Sequence, residues 1–541
     1  MKRITFIVSM FAASVCLSTT VSAQERKFCG QATELEKMRI ENPKDYQLYL
    51  EKAEELENHT RGFVEQKTNG RGDVYIVPIV FHIIHDYGLE NISDDQVRDA
   101  VRIINEDFRK LNADTSDIVA AFKAIAGDSE IEFRLAQKDP FGNCTNGIIR
   151  VASKETYKGE TPSTSNVSRW PRANYLNVWV VKQISSGAAG YTNYPSVFHN
   201  SPSIDGIMIL NSYVGSIGTG DYTSSRALTH EIGHWINLAH TWGNSNNPEI
   251  PNNCNGDDGV TDTPNTIGWT SCNLAGNTCS SLDNVQNYMD YSYCDRMFTQ
   301  GQSTRMRAAL ESSIAQRSNL WQPSNLALTG TTGTNDLCVA DFNASQTEVC
   351  VGETVQLYDA SYNNPTSWNW TFTGAAFVSS PTVSNPTVVY NTPGQYNVQL
   401  QVSDGVSSQS TVKSGYITVL PSTGIPISIQ ESFESVSSVP GSEWFVFNPG
   451  DVNTWEIANV GATGSKSISI KNRTNPAAAL NEISSTTIDL SSLSTSAKLS
   501  FKVAFAQKTL SNNDELRLFA SYNCGKNWVS RWNRSGQNLA T

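Results

Sequence analysis

The sequence predicts an α/β (α+β) domain followed by two all-β modules. Three observations carry this prediction. A strand-type stretch near residues 74–84 is followed by an amphipathic helix, by further strand-type stretches and then by a segment bearing several histidines. After about Pro323 the pattern changes to short β-type segments separated by turn residues. The chain has 541 residues, too many for a single hydrophobic core, so two to four domains are expected.

Lys2 and Arg3 open the chain ahead of an apolar run from Ile4 to about Leu17, and Val21-Ser22-Ala23 supplies the small residues of a cleavage site. Residues 1–23 therefore read as a signal peptide. The run falls short of the ~20 residues that span a bilayer, and no later stretch is long and apolar enough to do so. The expected location is secreted and extracellular, either free or attached to a cell surface. With 39% apolar and 17% charged residues the composition is that of a soluble globular protein. A formal net charge of -12 argues against nucleic acid and anionic membranes as partners.

Residues 24–60 are charged and helix-prone and read as a prosegment. From Asn58 to Gly72 the chain turns polar, with Arg61 and Arg71 in a junction suited to proteolysis. Arg71-Gly72-Asp73 reads as solvated linker. Val74 to Ile84 is rich in β-branched and aromatic residues and predicts a strand. Ser93-Asp94-Asp95-Gln96 is a capping box, opening a helix with Val97, Val101, Ile104 and Phe108 on one face. Ile131 to Leu135, Gly147 to Val151, Leu176 to Val181 and Gly206 to Leu210 predict further strands. This first domain is placed at 61–324, a Thr/Gly/Asn-rich linker at 325–336, one β-module at 337–421 and a second at 425–541. The last strand-type stretch falls close to Thr541, so the second β-module reads as incomplete.

Residues 230–240 read His-Glu-Ile-Gly-His-Trp-Ile-Asn-Leu-Ala-His. His230 and His234 are four apart and share one helix face, so both imidazoles reach one metal. His240 can join them only if the chain turns between His234 and His240. Asn237 stands where that turn is needed, and Asn tolerates a left-handed conformation next best to Gly. Three neutral imidazoles leave one corner open, the arrangement of a catalytic rather than a structural zinc site. Zinc lowers the pKa of a bound water from 15.7 to about 7 and polarises a carbonyl. Glu231, beside the first ligand, is placed to take the proton of that water and pass it to a leaving amine. The competing zinc geometry, with a glutamate third ligand from another helix, becomes unnecessary once His240 is present.

A His-Glu-x-x-His string with a further His ten residues after the first resembles the metzincin signature. Asn287-Tyr288-Met289-Asp290-Tyr291 resembles the Met-turn of that group, with Met289 as an apolar floor beneath the histidines. Tyr291 matches the tyrosine that in some metzincins alternates between the metal and the oxyanion. Trp235, Thr241 and the 287–291 stretch narrow the resemblance to the pappalysin family, over roughly residues 25–323. The resemblance implies a metzincin catalytic domain and a zinc-dependent endopeptidase acting on proteins and peptides. It also implies an edge strand, expected at Gly206 to Leu210, that binds substrate as an added strand.

The acidic stretch 255–264 lies between the zinc motif and the Met-turn and has the carboxylates and turn carbonyls that calcium favours. It resembles the pappalysin calcium loop, which implies Asp257, Asp258 and Asp262 with the main chain of Val260 and Thr263. Ten cysteines include Cys16 in the signal peptide, and the remaining nine leave at least one thiol without an intramolecular partner. Four cysteines between 254 and 294 allow three connectivities. The family pattern implies Cys254 with Cys279 and Cys272 with Cys294. Cys338 and Cys350 are expected to pair within the next module. Arg26-Lys27-Phe28-Cys29-Gly30 resembles the cysteine-switch motif of pappalysin prosegments, which implies Cys29 as a latency ligand to zinc; the alternative is a disulfide with Cys144.

Trp368-Asn369-Trp370-Thr371-Phe372 and Asn391 to Val398 resemble the polycystic-kidney-disease (PKD) repeat, an immunoglobulin-like sandwich. Residues 425–541 read as a jelly-roll-like module. The expected role of these modules is attachment to substrate or to a surface. Two other function classes compete: a secreted adhesive protein with an inactive protease-like core, and a zinc hydrolase of non-peptide substrates. The first would show loss of Glu231 or of a histidine, and none is lost. The Met-turn and the prosegment disfavour the second.

Overall fold

The structure, a computed structural model, describes residues 29–63, 73–86, 88–243, 245–333, 337–363, 365–426, 431–441, 443–447, 453–472, 481–492, 497–507, 509, 514–525 and 527–539. The signal peptide at 1–23, Arg26 to Phe28 and most of the junction, 64–72, lie outside the described residues.

Two helices lead, α1 (Gln31–Glu41) and α2 (Pro43–Gly62). Pro43 sits in the first turn of α2, where a missing N–H costs nothing. The helix runs on through 58–62, where a polar junction was expected. It is held down there: Leu56 is buried, and Glu57 pairs with Arg305 at 2.8 Å.

The next domain is built on strands β1 (Tyr75–His85), β2 (Ile131–Leu135), β3 (Ile148–Ala152), β4 (Leu176–Val181), β5 (Gly190–Tyr191) and β6 (Ile207–Leu210). Helices α3 (Asp94–Phe108), α4 (Ala120–Lys123), α5 (Pro195–Asn200), α6 (Ala227–Trp235), α7 (Gln300–Glu311) and α8 (Pro323–Thr329) surround this sheet. The long β1 pairs in parallel with β2 through Tyr75 to Ile79 and with β3 through Phe81 to His85. Its other side pairs with β4, then β6, then β5. Parallel strands covered on both faces bury nearly every side chain, as in β1 and β4.

The expected edge strand at Gly206 to Leu210 is therefore not an edge. β6 lies between β4 and β5, and the antiparallel β5 forms the rim. A two-residue strand carries no alternation that a sequence pattern could show.

Ser93 caps α3, accepting from the Gln96 backbone N–H at 3.2 Å. The reciprocal half of the expected capping box is not formed. The Gln96 amide instead donates to the carbonyls of Asn211 and Val214. Val97, Ala100, Ile104 and Phe108 give α3 its buried face.

The expected linker at 325–336 is largely structured. Asn325 donates to the carbonyls of Asn174 and Leu320, and the Thr329 carbonyl accepts from the N–H groups of Gln137 and Lys138. Gly330 ends α8 in a left-handed conformation, φ 72°. The domain thus extends to about Thr331, which is buried.

The first β-module is a sandwich of two four-stranded sheets. One holds Glu348–Cys350, Ser408–Leu420, Gly394–Ser403 and Ser367–Phe372; the other holds Phe377–Val378, Thr387–Val389, Thr354–Asp359 and Phe342–Ala344. Trp370, Phe342, Tyr390, Leu400 and Ile417 fill the space between them. Beyond residue 425 the described residues form four two-stranded pairs, and the double sheet of the expected jelly roll is not assembled among them. Among the described residues there, Phe445 and Leu539 are the buried apolar side chains. Among the described residues no helix is long and apolar enough to cross a membrane.

Cys254 bonds to Cys279 and Cys272 to Cys294. The expected Cys338–Cys350 pairing is contradicted: Cys338 bonds to Cys144 and Cys350 to Cys524. Cys350 ends a strand of one sheet, whereas Cys338 precedes the first strand of the other and lies against the preceding domain. Both bonds join different modules.

Candidate metal centre

Helix α6 places His230 and His234 one turn apart on the same face. Asn237 takes a left-handed conformation, φ 80°, just after the helix ends. Its carbonyl accepts from Arg305 Nε at 2.8 Å, which holds the reversed chain. His240 is thereby turned back, and its Nε2 lies 3.2 Å from Nε2 of His234, which is 3.1 Å from Nε2 of His230.

Each imidazole is fixed from behind. The Nδ1 atoms of His230, His234 and His240 donate to the carbonyls of Tyr288, Leu238 and Ser245 at 2.7, 2.7 and 3.1 Å. With Nδ1 as donor, each Nε2 presents its lone pair to the centre. Burial, reinforced by the neighbouring imidazoles, holds His234 and His240 well below the usual imidazole range, so the rings are neutral. Zinc–imidazole bonds of about 2.0–2.1 Å put neighbouring corners of a tetrahedron about 3.3 Å apart. The Nε2 spacing fits that ion.

Beneath the centre, Tyr288 to Asp290 pass under α6. The position of a side chain on Gly233 is already filled: a Cβ there would stand 2.4 Å from Met289 Sδ. Met289 is fully buried, and its N–H donates to Asn287 Oδ1. Asp290 accepts from Thr241 Oγ1 and from the N–H of Trp269, and burial pushes its carboxyl up to about 7.

Cys29 comes from the segment before α1. Its Sγ and a ring nitrogen of each of the three histidines lie within 4.8 Å of one another, and it bears no disulfide. It therefore lies beside the three imidazoles and is not bonded to Cys144, which pairs with Cys338. Burial, with the nearby Glu231 carboxyl, pushes its thiol well up. The sulfur lies 3.5 Å from Glu231 Oε2. Burial also pushes Glu231 up to about 8. The Tyr291 ring stacks edge-on against His240, centroids 4.9 Å apart, and its hydroxyl donates to Asn246 Oδ1 at 2.5 Å.

The acidic loop is only partly gathered. Asp258 Oδ1 accepts from the N–H of Val260 and from Thr263 Oγ1, while its buried Oδ2 has no hydrogen-bond partner. Burial pushes Asp258 up to about 7. Asp257 turns to the N–H of Gly259. Asp262 is committed elsewhere: its carboxylate accepts from Thr299 Oγ1 and the N–H of Gly301 at the start of α7. The three carboxylates do not converge. The orphaned Oδ2 of Asp258 is the atom here with unused capacity for a cation.

Two buried networks around α6 had no sequence signal, because their members are far apart in the chain. Asp107 joins Thr229, Tyr288 and Arg226 at the first turn of α6. Asp205 joins Trp235 and Arg317 at its last turn.

The family described as Pregnancy-associated plasma protein-A (peptidase M43) matches residues 161–311, and the PKD domain matches residues 336–419. An extracellular metalloprotease of Trichophyton verrucosum is 33% identical over 234 residues, which cover 42% of this chain and 73% of that protein. Another, of Verticillium alfalfae, is 28% identical over 261 residues, covering 45% and 82%. A promirolysin mutant of Tannerella forsythia, among solved structures, covers 56% of this chain and 99% of its own at 29% identity and a TM-score of 0.48. Mature mirolysin of the same organism, in complex with a cleaved peptide, covers 48% and 99% at 32% identity and a TM-score of 0.44. On the M43 match and the length shared with the Trichophyton protein, this chain belongs to the pappalysin family of zinc metalloendopeptidases and carries a PKD domain behind its protease unit.

Proposed function

We propose that this chain is the secreted zymogen of an endopeptidase in which His230, His234 and His240 hold zinc and Glu231 is the general base. The observation that carries the reading is the convergence of three Nε2 atoms, each opposite an Nδ1 that meets a backbone carbonyl, with Cys29 Sγ close beside them.

Zinc, when bound, supplies Lewis acidity toward the scissile carbonyl and a water that ionises near neutral pH. Glu231 Oε2, now facing Cys29 Sγ, then accepts a proton from the attacking water and returns it to the departing amine nitrogen. Tyr291, packed on His240, turns its hydroxyl toward the developing oxyanion. Met289 and Gly233 keep the floor dry and closely packed. A substrate strand lies along β5, the edge that Cys29 and Gly30 occupy in the precursor, where the N–H of Gly30 donates to the Gly190 carbonyl at 2.9 Å.

Secretion is supported by the N-terminal sequence and by the extracellular relatives. A calcium ion at Asp258, with the carbonyls of Val260 and Thr263, belongs to the same reading. The C-terminal modules serve attachment to substrate or surface.

The test is hydrolysis of casein, gelatin and a fluorogenic peptide library by the matured protein, with and without a chelator, beside Glu231→Ala. We expect cleavage that chelation abolishes, and loss of at least about 10²-fold in Glu231→Ala with zinc still bound. Undiminished cleavage by Glu231→Ala would overturn the assignment.

A further inference from the structure

His230 is held by two separate segments of the chain. Its backbone belongs to α6, and its Nδ1 donates to the carbonyl of Tyr288, 58 residues further on. The geometry at the metal therefore depends on the distance between these two segments. One side chain spans them. Asp107, buried at the end of α3, accepts from Thr229 Oγ1 through Oδ2 at 2.7 Å and from the Tyr288 hydroxyl through Oδ1 at 2.8 Å. Thr229 immediately precedes His230. Tyr288 is the residue whose carbonyl orients the His230 ring.

Arg226, at the start of α6, completes the network. Its Nε lies 3.2 Å from Asp107 Oδ1, and its other guanidinium nitrogens each meet Asp114 at 2.8 Å. Both oxygens of Asp107 are thus used, in fixed directions, between the two segments. An apolar residue would fill this place without the desolvation cost of a buried carboxylate, but it could not bridge two hydroxyls.

We propose that Asp107 is a positioning residue for the first metal ligand: by holding Thr229 and Tyr288 together, it sets His230 against the carbonyl that aims its ring. This rests on the reading of His230 as a zinc ligand. Outer partners of metal-bound histidines change metal affinity by about 10–100-fold when lost, and Asp107 acts one link further out, so the lower end of that range applies.

The test uses the full chain carrying Tyr288→Phe, Thr229→Val, Asp107→Asn or Asp107→Ala. Zinc affinity is read by competition with a fluorescent chelator, and the Tm of the metal-free chain is read in parallel. Tyr288→Phe removes one hydroxyl while leaving the ring and the orienting carbonyl, so it serves even if Asp107→Ala does not fold. We expect about a tenfold loss of zinc affinity in Tyr288→Phe and Thr229→Val. Asp107→Asn should retain more affinity than Asp107→Ala. In the matured enzyme kcat should fall while KM stays. A lowered metal-free Tm with wild-type zinc affinity in Tyr288→Phe and Thr229→Val would overturn the positioning role. Failure of the unsubstituted chain to bind one zinc would instead overturn the metal reading beneath it.

Discussion

The sulfur of Cys29 lies 3.5 Å from Oε2 of Glu231, and the backbone of Cys29 forms a parallel bridge with Gly190 on the sheet edge. One short segment thus covers Glu231, the three imidazoles and the β5 edge together. Cys29→Ala should leave the backbone bridge but remove the thiol that faces the three imidazoles. The uncleaved precursor should then hydrolyse a fluorogenic peptide or process itself faster than the parent. A variant as latent as the parent would count against Cys29.

The pH behaviour of the acidic loop has a definite sign. Burial pushes the Asp258 carboxyl up to about 7 from an ordinary value of 3.8. A raised carboxyl contributes stability that is full below the unfolded value and is lost as pH rises through the folded value. Without calcium, this contribution therefore fades between about pH 4 and pH 7. A bound cation favours the ionised form and offsets the loss. The rise in Tm on adding calcium should be larger at pH 8 than at pH 5.5, measured by thermal unfolding in calcium and in a calcium chelator. An equal rise at both values would remove Asp258 from the site.

The far end of α6 is anchored by a buried ion pair. Arg317 meets Asp205 through two nitrogens, each at 2.9 Å, and its guanidinium lies 3.8 Å from the Trp235 ring centroid. Trp235 Nε1 donates to the same carboxylate at 2.8 Å. Arg317→Met leaves the carboxylate buried with Arg172 at 3.7 Å as its remaining cation. The expected cost is about 3–5 kcal/mol in urea unfolding. Adding Asp205→Asn to Arg317→Met should recover part of it, because the stranded charge is removed.

The modules are stapled outside the main chain. Cys144 of the protease domain bonds to Cys338 of the PKD domain. A protease site placed between Gly333 and Leu337 should, once cut, leave the two parts together on a non-reducing gel and separate them under reduction. Cys144→Ser should release them without reductant.

The sequence by itself determined what depends on near neighbours in the chain. The four-residue spacing put His230 and His234 on one helix face, and Asn237 marked the reversal that returns His240. The stretches at 75–85 and 176–181 declared themselves through β-branched and aromatic residues, and 131–135 through alternation of apolar and charged ones. Only the tertiary structure decided what depends on partners distant in the chain. It made β5 the edge in place of β6, sent Cys338 and Cys350 to different modules, committed Asp262 to the start of α7, and brought Asp107 and Asp205 to opposite ends of α6. Local pattern records the periodicity of a helix or strand, because adjacent residues must satisfy it together. A buried carboxylate or a sulfur finds its partner through space, and that choice is fixed only when the whole core has packed.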